Sequence, residues 1–214
     1  LFDGRRRLLD SHRGFDPGAL ELAGRLAADL RVPLTFALVS RLLIDLNRSL
    51  DNPDLFSAIS RDLPPKSRRA IISAHYTPYR SHITRQIRSL ARGSSVLHLS
   101  VHSFTPVLRG RRRTADIGIL FDPARPREVA AADRLRRAIK FTNPRLAVRN
   151  NYPYLGTDDG FTTHLRTLFP DRRYAGIEIE INQRFPRGPT ASWNRLLDRL
   201  SAAVRLAWMP DERA

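Results

Sequence analysis

His102 and the pair Glu178 and Glu180 are the side chains whose type and placement could do chemistry here. His102 ends the run Val96-Leu97-His98-Leu99-Ser100-Val101, whose apolar, β-rich character predicts a short buried strand stopped by Pro106. In an open α/β sheet, ligands and metals gather beyond the carboxyl ends of strands. A satisfied structural histidine is the alternative reading of the same residue. Tyr174–Asn182 alternates strictly: Ile177, Ile179 and Ile181 point one way, and Glu178, Glu180 and Asn182 the other. On an edge strand those acids are a solvated face. On an interior strand a glutamate near the carboxyl end needs a partner or a task.

Two further groups carry charge among apolar neighbours. Arg41, Asp45, Asn47 and Arg48 fall within a few residues of one another between leucines. Ion pairing such as Asp45 with an arginine is one reading, since an unpaired buried charge is costly. A carboxylate clamp by Arg48 or Arg41 is the other, using the planar fork suited to bidentate contacts. His75, Tyr76, Tyr79, Arg80 and His82 surround Thr77-Pro78. Two histidines seven apart across a proline make a poor metal pair, so His75 and Tyr79 are read as pocket-lining groups.

The elements that must position these residues follow from periodicity. Asp16-Pro17 reads as an N-cap and first helical residue, ahead of an apolar face of Leu20, Leu22, Ala23, Leu26, Ala27 and Leu30. A carboxylate at that place serves as cap, as ligand, or as both. Residues 33–39 and 114–121 are strand candidates, and 146–149 a shorter one. Residues 66–92 read as helical with an interruption near Pro78; 127–139, 161–169 and 192–208 read as further helices. Residues 150–160 form a loop rich in Asn, Tyr and Gly. Alternation of strands and helices favours an α/β fold, a single three-layer domain over 1–214 with a mostly parallel or mixed central sheet covered by helices.

Composition narrows the function classes. A chain of 214 residues without cysteine has no disulfide, no thiolate nucleophile and no thiolate zinc site. No apolar run approaches the length of a membrane helix and no signal peptide is visible, so a cytoplasmic protein without membrane contact is expected. Thirty-seven Lys+Arg against 21 Asp+Glu give +16, which attracts anions from small carboxylates to nucleic acid. The arginines are spread along the whole chain, and aromatic residues do not interleave with them, which argues against nucleic acid. Nothing in the sequence fixes an oligomeric state.

Seven stretches together carry a resemblance: SHRGFDPGALELA (11–23), SRLLIDLNRSL (40–50), HYTPYR (75–80), HLSVHSFTPVLRG (98–110), ADIGILFDPARP (115–126), NYPYLGTDDG (151–160) and GIEIEINQ (176–183). In this order the chain resembles the N-formylglutamate amidohydrolase (deformylase) family, itself similar in fold to zinc carboxypeptidases and peptidoglycan amidases. The resemblance implies a Zn2+-dependent enzyme that hydrolyses the amide of N-formyl-L-glutamate, or a similar small anionic N-acyl amino acid, in histidine degradation. It implies Asp16 and His102 as metal ligands and Glu180 as general base, with Glu178 the alternative. Arg48, Arg41 and Asn151 are implied as substrate-binding groups. A further histidine motif ending a first strand is expected upstream of Leu1, and His12, close to Asp16, is a further candidate ligand. His75 stands where many relatives have tyrosine. Two other functions remain open at this stage: an amidase or carboxypeptidase acting on a longer anionic peptide such as a cell-wall fragment, and a non-catalytic anion- or nucleic-acid-binding protein on the same scaffold.

Overall fold

The computed structural model describes residues 1–208. In chain order the helices are α1 (Arg6–Leu9), α2 (Ala19–Leu30), α3 (Pro65–Ile71), α4 (Thr77–Leu90), α5 (Pro126–Thr142), α6 (Phe161–Leu168) and α7 (Thr190–Trp208). The strands are β1 (Val96–Phe104), β2 (Val107–Leu108), β3 (Arg111–Arg112), β4 (Ile117–Leu120), β5 (Val148–Asn150) and β6 (Tyr174–Asn182). The chain folds as two compact units, one built on the sheet and one on helices. No helix among the described residues is long and apolar enough to cross a membrane.

Of the described residues, the sheet unit comprises Asp16–Leu34, Leu97–Gly156 and 175–208. Its four strands lie in the order β1-β6-β4-β5. β4 runs parallel to β5 and antiparallel to β6, with Gly118 opposite Glu180 and Leu120 opposite Glu178. Bonds from Val96 N–H to the Arg173 carbonyl and from Gln183 N–H to the Phe104 carbonyl, both 2.9 Å, align β1 with β6 in parallel. The sheet is therefore mixed, with helices packed on it. β6 lies inside it, which decides the open question about its acids.

The strict alternation of β6 explains the two faces. Ile117, Ile119, Ile177, Ile179 and Ile181 form a buried apolar face with Leu97, Leu99 and Val101. Onto it pack Leu22 and Leu26 of α2, Leu135 and Ile139 of α5, and Trp193, Leu196, Leu200 and Val204 of α7. Each fully buried aliphatic side chain of this cluster contributes about 1.5–3 kcal/mol by leaving water. The other face carries the polar set, Ser100 and His102 on β1 and Glu178, Glu180 and Asn182 on β6, with Phe104 closing β1 on the same side.

Two expectations fail here for physical reasons. α2 starts at Ala19 behind Gly18, which sits at φ +79°, and no side chain caps it. The backbone carbonyl of Asp16 accepts Ala19 N–H at 3.1 Å. Residues 33–39 are not part of any sheet, although Leu34, Phe36 and Leu38 alternate along them and stand exposed. Alternation marks a face, but a strand also needs a neighbour to take its backbone bonds.

The helical unit comprises Leu1–Phe15, Thr35–Val96 and Thr157–Tyr174. α3 and α4 are one helical run joined by a π-helical turn, Ile72–Tyr76. Pro78 has no N–H to offer the turn before it and its ring crowds the carbonyl there, so the helix widens just ahead of it. Ile83 and Ile87 of α4 pack on Phe161, Leu165, Phe169 and Tyr174. Ile44, Leu55, Phe56 and Tyr76 form a second cluster.

Candidate active site

The polar face of the sheet gathers its chemistry around His102. Asp16 Oδ2 lies 2.9 Å from His102 Nδ1, although 86 residues separate them in the chain. Ser100, two residues earlier on β1 and thus on the same face, places its Oγ 3.0 Å from Nε2. Glu178 Oε2 lies 3.9 Å from the same nitrogen. Glu178 and Glu180 are both buried. Burial alone pushes the His102 imidazole down, but the Asp16 hydrogen bond and the charges of Asp16, Glu178 and Glu180 outweigh it and lift the group to about 9. Nδ1 is thus engaged by Asp16 and Nε2 by Ser100.

The loop after β5 crosses this face. A Cβ on Gly118 would lie 2.0 Å from the Tyr152 carbonyl oxygen and 3.1 Å from Glu180 Cβ, so only glycine lets the loop settle beside Glu180. Asn151, at φ +48°, fixes the loop's shape. Its Oδ1 accepts the N–H groups of Phe121 and Gly156, both at 3.0 Å. The Asn151 side-chain carbonyl thus holds the loop together.

The remaining expected site residues belong to the helical unit. Arg48 Nη1 donates to the Asp159 carbonyl at 2.9 Å. Arg41 Nε lies 3.5 Å from Asp45 Oδ2, the ion-pair reading of that cluster. His75 is exposed on the π-helical turn, and His12 is exposed after α1. Tyr79 packs against the cluster around Ile83, its ring centroid 6.3 Å from that of Phe161, and burial pushes its phenol up. Arg80 and Asp159, not singled out as site residues, organise this unit. Buried Arg80 donates to the carbonyls of Leu46 and Arg48 at 3.2 and 3.0 Å. Its guanidinium lies over the rings of Tyr76 and Phe161 at 4.9 and 4.2 Å. Asp159 Oδ2 accepts Ser49 N–H and Asn52 Nδ2–H. Burial raises that carboxyl, but these bonds and the Arg48 charge win and hold it below its ordinary value. Ser100 was legible from its spacing to His102; the partners of Arg80 and Asp159 lie too far along the chain for any spacing rule.

Asp16 and His102 test the expected metal. One oxygen and one nitrogen are donors that zinc accepts, and no thiolate competes. Their number falls short: among the described residues there is no group of three His, Cys, Asp or Glu side chains able to hold an ion. Donor chemistry fits a catalytic zinc, and the donor count does not.

A mixed sheet with helices packed on it and a buried acid–histidine cluster on one face is the frame of an α/β hydrolytic enzyme. The family model for N-formylglutamate amidohydrolase matches residues 2–185. The chain therefore belongs to the N-formylglutamate amidohydrolase family, and is an amidohydrolase of that family. It is also similar to the crystal structure of gene product Atu2144 from Agrobacterium tumefaciens, with 30% identity and a TM-score of 0.75, over 92% of this chain and 81% of that one. No curated protein matches it.

Proposed function

We propose that the protein hydrolyses the amide of N-formyl-L-glutamate or a closely similar N-acylated acidic amino acid. The observation that carries this reading is the gathering of Asp16, His102 and Glu178 on the sheet face that also bears buried Glu180, in a chain of this family. Glu180 takes a proton from the attacking water and returns it to the departing amine nitrogen, which the formyl carbon releases as the C–N bond breaks. Asp16 holds the His102 ring by Nδ1, and Ser100 holds it from the other nitrogen. Asp16 and His102 would be the donors offered to a zinc ion, in place of their bond to each other, and the ion would supply a polarised carbonyl and a more acidic water. Glu178 keeps the charge around His102 negative, which favours a cation there.

The test follows amine release from N-formyl-L-glutamate beside N-acetyl-L-glutamate and a muropeptide, with metal content measured on the same samples. Hydrolysis of the formyl compound is expected. Glu180→Gln and His102→Ala both abolish it, and only His102→Ala changes metal content. Activity that survives His102→Ala overturns the reading. Preference for the muropeptide transfers it to the longer anionic peptides.

A further inference from the structure

Beyond His102, at the end of β1, stands an arginine with a rigid seat and an incomplete set of partners. The backbone N–H of Arg113 bonds the Pro106 carbonyl at 2.8 Å, which ties it to the exit of β1. Its guanidinium lies 4.9 Å from the centroid of the Tyr154 ring and 5.8 Å from that of Phe104. Phe104 follows His102 by two residues and so lies on the same face of the strand. Arg113 Nη2 donates to the Tyr154 hydroxyl at 3.1 Å. Nη1 is sealed from solvent and has no hydrogen-bond partner. The nearby acid Asp116 is committed elsewhere, to Arg184 Nη2 at 2.5 Å and Ala147 N–H at 3.0 Å.

A charged donor shut away without an acceptor is a cost to the free protein that an incoming carboxylate removes. Tyr154 is the cover. It is 41% exposed and belongs to the same loop whose Tyr152 carbonyl lies beside Glu180. Swinging its hydroxyl away frees Nη2 beside the unpartnered Nη1, the parallel pair a carboxylate accepts in bidentate fashion.

Resting on the function proposed above, we infer that Arg113 binds the side-chain carboxylate of the acidic amino acid and sets the preference for it. Phe104 and Tyr154 hold the guanidinium plane, and Tyr154 gives way to the substrate. Arginine rather than lysine is required, because the contact is a fork and not a point charge.

The experiment compares wild type, Arg113→Gln and Arg113→Lys. It measures calorimetric binding of L-glutamate and L-glutamine, neither of which the enzyme can deformylate, beside kcat and KM for N-formyl-L-glutamate. Wild type is expected to bind glutamate at least about 10-fold more tightly than glutamine. Arg113→Gln weakens glutamate about 10- to 100-fold, leaves glutamine unchanged, and raises KM with kcat nearly constant. Arg113→Lys falls between the two and shows that the fold survives. Equal weakening of both amino acids makes Arg113 a buttress for Tyr154 and overturns the inference, as does an unchanged ratio or no preference in wild type. Arg113-dependent preference without hydrolysis keeps the clamp and sinks the reaction; hydrolysis with an unchanged ratio in Arg113→Gln does the reverse.

Discussion

In the helical unit a buried cation, Arg80, is met by two neutral backbone carbonyls and two aromatic faces. On the sheet a histidine, His102, is met by carboxylates: Asp16 in contact, Glu178 near, and Glu180 adding its charge. The first arrangement spends every interaction on holding segments in place, for the carbonyls belong to the turn-rich 41–63 stretch and Phe161 to α6. The second crowds like charges around one ring, which costs stability unless the site has a use for a positive charge. Glu128 sharpens the contrast within the sheet unit. Equally buried, it accepts Asp122 N–H and Gly176 N–H at 2.9 and 3.1 Å and pairs with Arg125, in the manner of a structural acid.

Breaking the sheet cluster and the arginine seat should therefore have opposite signatures. Glu180→Gln is expected to lower kcat by about 10²- to 10⁴-fold, the usual worth of a positioned general base. Its stability in urea should be unchanged or slightly raised, because one of the crowded charges is gone. Arg80→Met is expected to cost about 3–5 kcal/mol, since two carbonyls and two ring faces lose a fully buried partner. A urea denaturation curve settles it. A Glu180→Gln protein that unfolds as readily as Arg80→Met would erase the distinction between the two regions.

Asp159 gives a smaller effect with a pH signature. Asp159→Ala removes the acceptor for Ser49 N–H and Asn52 Nδ2–H and should cost about 1–3 kcal/mol at neutral pH. Folding holds this carboxyl below its ordinary 3.8, so the unfolded chain takes up its proton first. The contribution is then complete above about pH 4 and disappears as pH falls through the folded value. Wild type and Asp159→Ala should converge in stability below that pH. A gap that stays constant down to pH 3 would mean the carboxylate charge plays no part.

How much of this was legible depended on distance along the chain. The alternation in 174–182 displayed which face of β6 carries acids, and the periodicity of 192–208 displayed α7, because both patterns are local. Ser100 could be assigned to His102 from a spacing of two. Of the two roles open to Asp16 from the Asp-Pro pattern, the side-chain cap is absent, because the αL Gly18 lets α2 begin without it. For Arg48 the sequence leaves ion pairing and a carboxylate clamp both open, and cannot show the bond it makes to a carbonyl 111 residues away. Residues 33–39 have the alternation of a strand, and sequence alone cannot say whether a neighbouring strand is present. Arg113 sits in a run of basic residues, where nothing local separates a seated guanidinium from solvated ones.

Ser100→Ala is the mildest way to probe the same contrast. The hydroxyl meets His102 Nε2 at 3.0 Å, while Asp16 holds the ring from its other side. Loss of Oγ should change stability by less than about 1 kcal/mol, the scale of a single half-buried hydrogen bond. If the ring is held chiefly by Asp16, activity falls only a few-fold, and Asp16→Asn, which keeps the shape but loses the charge, is much worse. The imidazole carbon-bound proton resonances should show it directly, with the ring's titration moving toward its ordinary 6.5 in Asp16→Asn and hardly at all in Ser100→Ala. Equal displacement in both variants would mean that hydrogen bonding, and not the crowd of negative charge, sets the state of His102, and the sheet cluster would then resemble the arginine seat after all.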